Sequence, residues 1–104
     1  MSSSEPGLDR HEWESEYAVL AIELHEDPAG ALPDLADLVE RMLRERNLPV
    51  DDPDNIDELI SEYRSARELS DEAERGEASL GDVGAAIVSL QSVYETLLAE
   101  YDAP

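Results

Sequence analysis

The chain has 104 residues, of which 27 are Asp or Glu and seven are Arg; there is no lysine, and the formal charge is −20 at pH 7. That length gives one domain with a modest core, and the absence of cysteine removes disulfides, thiolate metal sites and cysteine nucleophiles together. The charge argues against nucleic acid or an anionic membrane as a direct partner, because like charges repel within a Debye length of about 10 Å, and no run approaches the roughly 18 apolar residues that span a bilayer.

Residues 1–8, Met-Ser-Ser-Ser-Glu-Pro-Gly-Leu, read as a disordered lead-in. The stretch has neither a basic start nor an apolar centre, so no secretory signal is read there and a cytoplasmic protein is expected. A single helical domain is expected over 9–102. Its first helix, 9–26, has an apolar face of Trp13, Tyr17, Leu20 and Leu24, broadened by Val19 and Ile22, with Glu12, Glu16 and Glu23 opposite. Asp27-Pro28-Ala29-Gly30 is expected to stop it.

The second helix is expected over 33–46, with Pro33 at its first position. Asp34 and Asp37 lie where the helix dipole favours negative charge, and Arg41, Arg44 and Arg46 where it favours positive charge. Leu35, Leu38, Val39, Met42 and Leu43 form its inner face, and Asn47 suits a left-handed cap. The third helix, about 55–75, opens on either Asp52 or Asn55 and ends at Gly76. Ile56, Leu59, Tyr63, Ala66 and Ala73 hold its inner face, with Ile60 and Leu69 beside them. Pairs such as Arg64–Glu68, Arg67–Asp71 and Asp71–Arg75 can form on its outside.

The fourth helix, 80–101, is the most apolar. Leu80, Val83, Ile87, Leu90, Tyr94, Leu97 and Tyr101 repeat at alternating spacings of three and four, with Ala86, Val93 and Leu98 widening the stripe, and no charge falls between Val83 and Tyr94. Ser79 and Asp82 make a capping box at its start. Gly81 and Gly84 in its first turns suit either a close backbone neighbour or a loose first turn. Four helices with short connections predict an all-α, up-down-up-down four-helix bundle. Helix 4 is about 33 Å long and outruns helix 2. An interface is therefore expected on Val83, Ile87, Leu90, Tyr94, Leu97 and Tyr101, with Leu38 and Met42 of helix 2.

Catalytic chemistry finds no foothold. His11 and His25, 14 residues apart on one helix, stand roughly 21 Å from each other and cannot share a metal within one chain. Asp51, Asp52 and Asp54 lack the glycine and glutamate of a calcium loop. Arg41, Arg44, Arg64 and Arg67 either gather as an anion site or pair with Asp37, Glu40, Glu45 and Glu68 on a solvated face. Glycine-rich phosphate loops and Ser/His/Asp sets are missing from the sequence. No catalytic residue, cofactor or metal ligand is expected.

The runs Asp27-Pro28-Ala29-Gly30-Ala31-Leu32-Pro33, Leu38-Val39-Glu40-Arg41-Met42-Leu43 and Gly81-Asp82-Val83-Gly84-Ala85-Ala86-Ile87 resemble small acidic helical proteins of high-GC actinobacteria. The resemblance implies a bacterial cytoplasmic setting and contributes no activity. The expectation is a non-enzymatic helical interaction module that forms a homodimer. The alternative is an acidic nucleic-acid mimic or inhibitor that binds a basic protein with helices 1 and 3. Residues 1–27 carry eight acids against one arginine, and residues 51–76 ten against three.

Overall fold

Asp27 is the whole connection between the first two helices, because Pro28 bars helical geometry from the residue before it and opens a new helix itself. In the computed structural model, which describes residues 6–52, 54 and 57–101, the chain forms α1 (Pro6–Glu26), α2 (Pro28–Glu45), α3 (Glu58–Glu74) and α4 (Leu80–Tyr101), with no strand among the described residues. Residues 1–5 of the expected lead-in lie outside the described residues, and α1 begins three residues before the expected start. None of these helices is long and apolar enough to cross a membrane.

The ends of the helices follow from local chemistry. The Asp27 carboxylate accepts the Gly30 N–H at 3.2 Å, and a Cβ on Gly30 would collide with Asp27 Oδ2. Glycine is what leaves the cap its room. Pro33, expected at the first position, instead lies inside α2. The earlier start carries Ala31 and Leu32 into the core, and that burial outweighs the hydrogen bond that proline removes.

α2 and α3 close with the same device. Asn47 N–H donates to Arg44 O and Leu48 N–H to Leu43 O, while Gly76 N–H donates to Ala73 O and Glu77 N–H to Glu72 O. Asn47 and Gly76 take the left-handed conformation that this termination needs, at φ 60° and 75°. α3 is capped by Asp57, whose carboxylate accepts from Leu59 and Ile60 N–H, and not by Asp52; Asn55, the other expected cap, lies outside the described residues. At α4 the expected box is present: Asp82 N–H donates to Ser79 Oγ at 3.0 Å, and Ser79 N–H to Asp82 Oδ2 at 3.3 Å.

The middle of the molecule is α2. It packs on each of the other three helices, α3 packs on α4, and α1 meets α4 through Tyr17. Leu32, Leu35, Ala36, Leu38, Val39 and Leu43 are fully buried there. From α3 come Ile60, Tyr63 and Ala66, and from α4 Val83, Ala86, Leu90, Val93, Tyr94 and Leu97. Ile56 lies outside the described residues. Leu80, expected on the inner stripe of α4, is 84% exposed; it is the first residue of the helix, ahead of any packed turn. The molecule measures 48 × 35 × 18 Å, so it is about two helices deep at the usual separation of 8–10 Å.

One buried polar side chain stands out among the described residues. Ser70, in the inner face of α3, is fully buried and its Oγ has no hydrogen-bond partner. An orphaned hydroxyl costs roughly 1–3 kcal/mol, and alanine is also the better helix former. Ser70→Ala is expected to raise stability by about 1 kcal/mol in urea unfolding. A drop would mean that the hydroxyl is bonded in solution.

Candidate functional site

The arginines settle first, because they decide where free charge remains. Arg41 reaches from α2 to α1 and holds both Glu16 oxygens, at 2.5 and 3.2 Å, with its guanidinium 5.9 Å from the centre of the Trp13 ring. Arg67 reaches from α3 to α2, meeting Asp37 and Glu40 at 2.8 Å each, and donates through Nε to the Tyr63 hydroxyl. Arg44 bridges Glu40 and Asp51, Arg46 meets Glu100 of α4 at 3.1 Å, and Arg64 donates to the carbonyls of Val50 and Asp52. The four arginines weighed as an anion site are therefore engaged as clamps between elements. Asp37 and Glu40 are the expected partners they use; Glu16, Asp51 and the two loop carbonyls are partners the spacing did not indicate.

Glu40 is the centre of this network. The hydrogen bond from Arg44, with those from Tyr63 and Arg67, holds its carboxyl below the usual range against the opposing effect of partial burial. A lowered carboxylate contributes stability that is present above its ordinary value of 4.5 and is lost as pH falls through the lowered one. His11 and His25 are both exposed on α1. Asp51 belongs to the Arg44 clamp, and Asp52 Oδ1 accepts the Asp54 N–H in a tight turn, so two members of the acidic triplet serve local structure.

The residues expected at an interface lie elsewhere. Val83, Leu90, Tyr94, Leu97, Leu38 and Met42 are buried by their own chain, and Ile87 is partly buried against the same core. The Tyr101 side chain lies outside the described part of the structure. Tyr94 stacks on Tyr17 at 4.2 Å between ring centres, and Gln91 Nε2 donates to the Tyr17 hydroxyl at 3.0 Å. Those contacts fasten α1 to α4 around Tyr94.

Exposed apolar surface remains on α4 and on α1 among the described residues. On the outside of α4, Gly84, Ala85, Val88 and Ser92 share one exposed face, with Val88 64% open. No neighbouring atom comes within 4 Å of where a Cβ on Gly84 would stand, and at Gly81 only Ser79 Oγ does, at 3.7 Å. The glycines thus face open space within this chain. On α1, Val19 and Ile22, expected to broaden the buried face, are 58% and 61% exposed. Val19 and Leu20 line a groove of about 560 Å³ between α1 and α2, edged by Glu16, Glu23, Asp34, Asp37 and Arg41. The signal for this groove was present in the sequence: from Tyr17 to Leu24 only Glu23 is charged, more apolar positions than one helix face can bury.

Neither family models, curated proteins nor solved structures provide a match to this chain.

Proposed function

We propose that this protein is a non-enzymatic helical interaction module that pairs with a second copy of itself in the bacterial cytoplasm, its helices running up, down, up and down. One residue joins α1 to α2, and residues 75–79 join α3 to α4; short links between helices in contact support antiparallel neighbours. The observation that carries the pairing is the outer face of α4. Two molecules of charge −20 repel wherever acids meet, and the exposed face through Gly84, Ala85, Val88 and Ser92 lies in a run without charge from Val83 to Tyr94. Glycine and alanine there let two helices approach closely, and Val88 supplies the apolar contact.

Light scattering behind size exclusion at micromolar protein tests the pairing. The expected result is twice the mass of one chain, with Val88→Asp returning it to a monomer. A strict monomer for the unsubstituted protein overturns it. A second reading, capture of a basic protein partner, is favoured by one observation: the apolar groove between α1 and α2 is edged by the carboxylates of Glu16, Glu23, Asp34 and Asp37, beside Ser15 and Arg41.

A further inference from the structure

Resting on the second of these readings, we propose that the α1–α2 groove is a docking site for a cationic amphipathic helix of another protein. The floor is apolar, formed by Val19 and Leu20, with Ile22 one turn further along the exposed face of α1. The groove has a volume of about 560 Å³ and is open along its length. A separate recess of about 170 Å³ at the Asp27 corner shares Glu23 and adds Glu26.

Charge selects the occupant. Arg41 is the groove's one cation, and it is already held by Glu16. Asp37 is shared with Arg67 of α3. Glu23 and Asp34 are exposed and, among the described residues, have no cationic partner. A second copy of this chain would bring carboxylates to carboxylates, whereas a helix with leucines at spacings of three and four and lysine or arginine alongside satisfies floor and rim together. The rim speeds the encounter and sets orientation, and the apolar floor distinguishes one cationic helix from another.

The probe is a fluorescent synthetic helix of about 18 residues with leucine at the i, i+3, i+4 and i+7 positions and lysine elsewhere, titrated with the full chain and followed by anisotropy. Binding is expected at micromolar concentration. A peptide of the same composition with its leucines scattered is expected to bind at least about tenfold more weakly, a difference of 1.4 kcal/mol. Val19→Ser with Ile22→Ser should weaken the amphipathic peptide by at least about tenfold while leaving far-ultraviolet circular dichroism unchanged, since both side chains are exposed. Equal binding of the two peptides, or full binding by the double variant, overturns the groove assignment while the cationic-partner reading stands. No binding of either peptide overturns that reading itself. Conversion of a dimeric chain to a monomer by the double variant would give the groove to a second copy and overturn the docking site.

Discussion

Leu38→Ala is expected to lower the free energy of unfolding by about 3–4 kcal/mol, while Val88→Ala in dilute protein changes it by less than about 0.5 kcal/mol. Both residues are large, apolar and helical, and a helical sequence pattern alone does not rank them. Leu38 is fully buried on the helix that all others touch, so its removal leaves a cavity inside the core. Val88 stands in solvent on α4. Urea unfolding of both variants is the measurement. A loss at Leu38 under about 1 kcal/mol would mean that α2 is not enclosed.

Raising the pH from 10 to 12 is expected to remove roughly 1–2 kcal/mol of stability through Tyr94, with solvent screening taken into account. Burial, reinforced by the nearby Glu14 carboxylate, pushes its hydroxyl from 10.0 up to about 12. Within that window the unfolded chain gives up a proton that the folded one keeps. Stability is therefore complete below pH 10 and falls as pH rises toward the folded value. Tyr94→Phe keeps the ring stacked on Tyr17 and removes the ionisation, so its alkaline limb should be flatter than that of the parent. Coincident alkaline limbs for the two proteins would refute the assignment. Burial raises Tyr63 as well, which is why the variant flattens the limb without abolishing it.

The inner faces were legible wherever polar residues framed them. Leu35, Leu38, Val39, Met42 and Leu43 alternate with Asp34, Asp37, Glu40 and Arg41, and all five are buried. The face of α1 was not, because apolar residues surround the helix between Tyr17 and Leu24; only the seating of Trp13, Leu20 and Leu24 on α2 decides that Val19 and Ile22 turn outward. The start of α2 was misplaced because Pro28 and Pro33 both suit a first helical position. The choice between them is made by the Asp27 cap and by burial of Leu32, a tertiary effect. At α3 three residues, Asp52, Asn55 and Asp57, carry capping chemistry. Arg64 binds the carbonyls of Val50 and Asp52 and so draws that segment into a loop, leaving Asp57 to cap. The clamps of Arg41 and Arg46 join residues 25 and 54 positions apart, a distance at which local spacing carries no information.

The Asp27 junction has a mechanical consequence. With one residue between them, α1 and α2 have no slack to absorb a relative tilt, so any torque on α1 acts directly on the Asp27–Gly30 hydrogen bond and the first turn of α2. That turn carries Ala31 and Leu32 into the centre of the molecule. Weight placed on α1 is thus passed straight into α2, the helix that packs on all the others.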